Sequence, residues 1–256
     1  MPAHESETMP DHLITAKSRR IAYHLTEGTH PMVVFLGGLR SDMAGTKAVF
    51  LEEYAKSRGR AFLRFDYSGH GESSGAFTEG CIGDWAEDAA EVLDRLAPKR
   101  VVLVGSSMGG WISLLMARRN PERIAGLIGI AAAPDFTEDG FWASFSEDQR
   151  AEVMGQGQTA LPSEYGEPMI VTKRMIEDGR KNLVLRSPLV IDAPVRLFQG
   201  TEDEAVDQAV ALRLLAHLQC DDLHLELVKG EDHRFSSPHC LDLLARRLDE
   251  MLESAV

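Results

Sequence analysis

Three side chains follow one another in an order that can do acyl-transfer chemistry. They are Ser107 at the centre of Gly105-Ser-Ser-Met-Gly109, Asp203 within Glu202-Asp203-Glu204, and His233 in Val228-Lys-Gly-Glu-Asp-His233. A serine hydroxyl is a weak nucleophile until a base removes its proton. An imidazole becomes that base when a carboxylate holds it in one tautomer. The product of such an arrangement is an acyl-serine, which water then releases. Ser107 has glycine two residues before and two residues after it, the pattern that a sharp strand-to-helix turn requires; Ser106 does not and reads as turn packing. Among the later histidines, His217 falls in a helix pattern, His224 in a strand pattern and His239 near a helix start. His233 follows a strand end and is the expected base, with His239 the alternative. Asp203 stands three residues past Gly200 and three before Val206, so it can turn inward while its acidic neighbours face water. Glu202 is the alternative acid.

Negative charge developing on a carbonyl oxygen needs two N–H donors. Met108, at the start of the helix after Ser107, is the expected first donor, because the positive end of the helix lies there. Leu39, just past Gly37-Gly38 on the loop after an apolar strand, is the expected second. Arg40 beside it could meet a substrate carboxylate. Phe141, Trp142 and Phe145, with Met169, read either as an apolar wall for an acyl chain or as self-packing.

The elements that must carry these residues alternate. Short strands at 12–16 and 21–26 precede an apolar run at 31–36, a helical pattern over 47–55 and a strand at 61–65. A helix over 82–96, the strand 101–104 entering the serine turn, its helix, and the strand 124–133 follow. After residue 134 the alternation stops until 194. Within that stretch a helix from Ser146 to Met154, a flexible joint at 155–159 and a helix capped by Thr172 are expected. Strands at 195–200 and 223–228 and helices at 206–218 and 241–251 complete the chain. The reading is one α/β domain over residues 1–256, a mostly parallel central sheet with helices on both faces, with residues 134–193 inserted as a small cap. Ligands of such sheets bind beyond the carboxyl ends of the strands, where all three residues map.

These motifs resemble the α/β-hydrolase-fold serine hydrolases over nearly the whole chain. Gly105-x-Ser107-x-Gly109, Asp66-x-x-Gly69-x-Gly71-x-Ser73, Gly200-x-x-Asp203-x-x-Val206 and a late histidine fall in the family's order. The stretches Leu39 to Ala48, Phe65 to Gly69, Val104 to Trp111 and Asp232-His233-Arg234 look closest to its branch of palmitoyl-protein thioesterases and acyl-glucuronide esterases. The resemblance implies Ser107, Asp203 and His233 as a triad. The implied enzyme is a serine hydrolase of carboxylic ester or thioester bonds. A proline-type peptidase of the same fold and a non-catalytic ligand-binding protein are the alternatives.

Composition narrows the partners. A net charge of −13 on 256 residues argues against nucleic acid and against docking on anionic lipid. Glycine spacing and the absence of a Walker motif argue against a dinucleotide or nucleotide site. No apolar run is long enough to span a membrane. Three widely spaced cysteines suit a reducing compartment, and the acidic N-terminus resembles neither a signal nor a transit peptide. The expectation is a cytoplasmic protein acting on a small or acylated substrate, needing no cofactor and no metal, with its oligomeric state undetermined.

Overall fold

The computed structural model describes residues 9–162 and 168–254. The central sheet has eight strands: β1 (Asp11–Ile14), β2 (Arg20–Thr26), β3 (Thr29–Leu36), β4 (Arg60–Phe65), β5 (Val101–Ser106), β6 (Ile124–Ile130), and two later strands, at Val195–Gly200 and Leu223–Val228. Their spatial order is β1-β2-β4-β3-β5-β6 followed by the later two. The β1–β2 and β2–β4 pairs are antiparallel and all other pairs are parallel.

Alternation along the parallel strands divides the core in two. Val34, Leu36, Leu63 and Leu103 face one layer; Val33, Phe35, Phe62, Val102 and Val104 face the other. A side-chain period of two forces that split, so every central strand is apolar on both faces. The first layer is covered by α2 (Ile82–Leu96) and α3 (Met108–Arg119). The second is covered by α1 (Thr46–Ser57) and by the final helix, Pro238–Ser254. Trp85 and Trp111 are fully buried under the first layer.

The insertion is better ordered than the sequence suggests. Residues 137–142 form a π-helical turn, α4 spans Glu147–Gln156, and β7 (Gln158–Leu161) pairs antiparallel with β8 (Met169–Thr172). The joint expected at 155–159 is therefore a helix end, a left-handed Gly157 at φ 87° and the start of a strand. The Thr172 cap is as expected: its hydroxyl accepts from Met175 N at 3.1 Å and opens α5 (Lys173–Gly179). The two ends of the insertion are stitched by Asp135, which accepts from Val184 N (2.8 Å), Leu185 N (3.0 Å) and Arg186 Nη1 (3.2 Å). Burial pushes its carboxyl up, and those donors pull it back part of the way. The remaining elements are β9 (Leu189–Val190), β10 (Val195–Gly200), α6 (Gln208–His217), β11 (Leu218–Gln219), β12 (Leu223–Val228) and α7 (Pro238–Ser254). No helix among the described residues is long and apolar enough to cross a membrane.

The Asp66 motif also acquires a physical meaning. The buried carboxylate accepts from Met43 N (2.7 Å) and Glu72 N (2.9 Å), joining the loop after β3 to the loop after β4. A Cβ on Gly71 would lie 2.1 Å from Asp66 Oδ2, and its φ is +43°. Gly71→Ala is thus expected to lose about 2 kcal/mol or more of stability, from a displaced buried carboxylate and a left-handed alanine. A denaturant melt checks this; an unchanged midpoint would contradict it.

Candidate active site

Ser107 is placed by the abrupt change from β5 to α3. Its backbone is at φ 53°, ψ −116°, a region that side chains rarely occupy. Strain of this kind persists only where the surroundings over-determine it. Here Ser107 N donates to Ile130 O at 2.9 Å, and Ser107 O accepts from Gly110 N (2.9 Å) and Ala133 N (3.1 Å). The flanking glycines are obligatory for contact. A Cβ on Gly105 would sit 2.3 Å from Gly109 O, and one on Gly109 would sit 2.0 Å from Leu36 O. Helix, strand and neighbouring strand end all meet at this turn, which throws the Ser107 hydroxyl beyond the sheet.

Two further strand ends bring the partners. The loop after β10 and the loop after β12 are bonded to each other: Thr201 N donates to Val228 O (3.0 Å), Glu202 N to Glu231 O (3.0 Å) and Gly230 N to Thr201 Oγ1 (3.0 Å). The parallel pairing of Gly200 with Val228 sets both loops at one height. Asp203 and His233 are thereby opposed. His233 Nδ1 lies 2.8 Å from Asp203 Oδ2, and His233 Nε2 lies 3.2 Å from Ser107 Oγ. With Asp203 ionised, Nδ1–H donates to the carboxylate, and Nε2 is left to accept the serine hydroxyl. The sequence-expected serine, acid and base are brought together. Of the alternatives, His239 is exposed at the start of α7 and Glu202 is exposed beside Asp203; His217 Nε2 is engaged with the Val184 and Ser187 carbonyls.

The Asp203 side chain is fully buried, whereas His233 keeps 32% of its side-chain surface exposed. Burial alone would raise the Asp203 carboxyl. Donors overcome it, chiefly His233, then Val206 N, the His233 charge and Gln199, and hold it below the ordinary carboxylate range. His233 itself sits in a turn closed by Asp232, whose Oδ1 accepts from Arg234 N (2.9 Å) and Phe235 N (3.3 Å). Phe235 is fully buried against Phe198, anchoring the turn in the core. Lys47 of α1 donates to Arg234 O and reaches Ser236 Oγ at 3.5 Å. Burial lowers its ammonium to about 8 against the opposing pull of Asp232.

The two expected oxyanion donors belong to the turn after Ser107 and to the loop after β3. Met108 is the first residue of α3. Gly38 is so close that a Cβ on it would touch Ser107 Cβ at 3.4 Å, which sets the Gly38 backbone against the serine. The loop is pinned by Ser41, whose N and Oγ donate to Gly38 O at 3.2 and 2.8 Å. Arg40 is exposed at φ 58°, with its guanidinium 6.0 Å from the Phe77 ring centroid. The aromatic residues of 136–145 chiefly meet one another. Phe136 joins Trp111 (5.5 Å) to Phe141 (5.2 Å), Phe141 stacks on Phe145 (6.4 Å), and Trp142 packs against Phe145 (6.2 Å). Arg180 and Arg150 lie over the Trp142 ring at 4.6 and 5.5 Å. Phe145 is buried, while Phe141, Trp142 and Met169 are only partly so.

Sequence reasoning missed Gln199, a fully buried strand residue whose Nε2 donates to Asp203 Oδ2 at 2.8 Å. An uncharged polar residue at the C-terminal end of a parallel strand, directly before Gly200, was the available signal. Among the described residues, no group of three or more His, Cys, Asp or Glu side chains is arranged to hold a metal ion.

The chain has counterparts among known proteins. A family profile described as alpha/beta hydrolase fold matches residues 31–169, more than half of the chain. The chain belongs to the α/β-hydrolase fold family. This α/β-hydrolase is 36% identical over 235 residues to the mitochondrial palmitoyl-protein thioesterase ABHD10 of Rattus norvegicus, covering 91% of this chain and 79% of that protein. The Homo sapiens counterpart is 33% identical over 255 residues, covering 99% and 83%. Among solved structures, alpha/beta hydrolase domain-containing protein 10 from mouse superposes with a TM-score of 0.90 at 33% identity, covering 97% of this chain and 100% of that one. Fold class and family resemblance stand as expected, and the α/β-hydrolase is an enzyme for ester or thioester hydrolysis. The cytoplasmic expectation is corrected. The relatives that match nine-tenths or more of the chain are named as mitochondrial proteins, which overturns that expectation. Unpaired cysteines fit any reducing compartment, and a folded domain carries no physical mark of its address.

Proposed function

We propose that Ser107, His233 and Asp203 form the catalytic triad of an acyl-ester and acyl-thioester hydrolase, with residues 134–193 as a cap over a single domain. The observation that carries this reading is the unbroken relay from Ser107 Oγ through both nitrogens of His233 to the buried Asp203 side chain. Ser107 Oγ attacks the acyl carbonyl as His233 Nε2 takes its proton. The N–H groups of Met108 and Leu39 face the oxygen on which negative charge gathers. His233 returns the proton to the leaving thiol or alcohol. Water, deprotonated by the same nitrogen, then releases the carboxylic acid and restores the serine. Asp203 keeps the proton of His233 on Nδ1 and stabilises the charged ring in both steps.

The substrate class proposed is a long-chain acyl thioester, in keeping with the thioesterase relatives. Phe141, Trp142 and Met169, partly buried in the cap, offer apolar surface to an acyl chain. Arg40, beside Leu39, is proposed to meet a carboxylate where the leaving group has one. The test is a panel of aryl esters, acyl thioesters and acyl glucuronides compared by kcat/KM, with fluorophosphonate labelling as the control for the nucleophile. Expected are labelling at Ser107 and a preference for long-chain thioesters. Arg40→Ala should lower kcat/KM for the acyl glucuronide alone. A folded protein that neither labels nor turns over any acyl substrate would overturn the reading.

A further inference from the structure

We infer that Gln199 is a positioning residue that locks the Asp203 carboxylate toward His233, a reading that rests on the triad proposed above. Gln199 is the penultimate residue of β10 and has no exposed surface. Its Nε2 donates to Asp203 Oδ2 at 2.8 Å, the same oxygen that accepts from His233 Nδ1. The other oxygen, Oδ1, accepts from Ala205 N (2.9 Å) and Val206 N (2.8 Å). An ionised carboxylate has about four lone-pair sites. Four donors therefore fill Asp203, and three of them are fixed by the loop and the strand. The fourth direction is the one left for His233.

The same amide group also reaches Val206 O (3.1 Å) and Gly200 O (3.3 Å), the two ends of the loop that carries Asp203. Gln199 thus ties that loop shut from beneath and aims its carboxylate in one step. The other end of the amide is informative. Gln199 Oε1 is buried with no hydrogen-bond partner. A stranded buried acceptor is costly, and an apolar side chain here would avoid it. The position keeps an amide for its donor end.

Removing the donor has a predictable sign. With one fewer hydrogen bond, Asp203 Oδ2 becomes a stronger base and pairs more tightly with the charged His233 ring. More acid is then no longer needed to protonate the triad, so the acid limb of the kcat/KM profile moves to higher pH. Substrate does not touch a residue buried beneath Asp203, so KM stays.

The experiment uses the full chain and one acyl thioester substrate. Gln199→Met keeps the length and removes the donor. Expected are a kcat lower by roughly tenfold, the size of one hydrogen bond to a charged group, an unchanged KM, and an acid limb raised by up to about one pH unit. Gln199→Leu, which also removes the donor and adds no charge, stands in should the methionine variant fail to fold, and its acid limb must rise likewise. An acid limb that stays put in a folded variant overturns the inference, whether kcat is kept or lost, because a packing role alone moves no pH profile. Wild-type protein without activity would instead count against the triad itself.

Discussion

Ser107→Ala is expected to lower kcat/KM for an acyl thioester by about four to six orders of magnitude while leaving the fold intact. The loss is large because nothing beside Ser107 can take its place. Ser106 ends β5 and is nearly buried, and His233 Nε2 is aimed at Ser107 Oγ. The fold survives because the strained turn is held by main-chain groups: Ser107 N and O keep their bonds to Ile130, Gly110 and Ala133 whatever the side chain. Some rate above the uncatalysed reaction should remain, since the N–H groups of Met108 and Leu39 are untouched. A thermal melt matched to wild type, alongside initial rates, makes the comparison clean. Activity within tenfold of wild type in a normally folded variant would remove Ser107 from the mechanism.

Asp203→Asn is the second large effect. It is isosteric, yet no orientation of the amide satisfies its neighbours. One side of the carboxylate faces the N–H groups of Ala205 and Val206; the other faces Gln199 Nε2 and His233 Nδ1. An amide has one acceptor oxygen for two acceptor sides. If the oxygen stays on the two backbone donors, the NH2 group points at His233 and draws the other tautomer, with the proton on Nε2. That nitrogen then donates to Ser107 Oγ instead of accepting from it, and the base is lost. The expected fall in kcat is about 10,000-fold near neutral pH. Wild type should show a different acid behaviour. Asp203 titrates below the ordinary carboxylate range, so its stabilising contribution is present above that range and is lost only as pH falls through the lowered value. Loss of the Asp203 charge is therefore not expected to inactivate the wild type in mildly acidic buffer. Steady-state rates across pH for both proteins check this; an Asp203→Asn profile that overlays the wild type would contradict it.

The parts of this site that were legible in the sequence are those with local requirements. A serine on a strained turn needs a strand before it, a helix after it and no Cβ on either side, and 101–119 spells all of that. Asp203 and His233 were legible because each follows a recognisable strand end in a parallel sheet, and such ends share one edge. Gln199 was not, because its function depends on a carboxylate four residues away folding back over the strand. The β7–β8 hairpin was missed for a related reason: Gln158 pairs with Thr172 across a long separation, and Gly155-Gln-Gly157 reads locally as a break. The aromatic residues of 136–145 stayed ambiguous because Phe, Trp and Met make a small self-packed core and a ligand wall with the same composition. In the fold, Phe136, Phe141, Trp142 and Phe145 form a chain of ring contacts reaching down to Trp111, one turn beyond the nucleophile. Location was misjudged from the composition of the chain end and the cysteines, neither of which reports on the site.

A covalent acyl-serine can be trapped directly. The full-length protein is mixed with a palmitoyl thioester, quenched in acid within the first turnovers and digested with trypsin, which cuts after Arg100 and Arg118. Mass spectrometry should find one palmitoyl group on the peptide from Val101 to Arg118, located at Ser107, that disappears on longer incubation. Steady turnover with an acyl group on another residue, or with none on that peptide, would contradict the account.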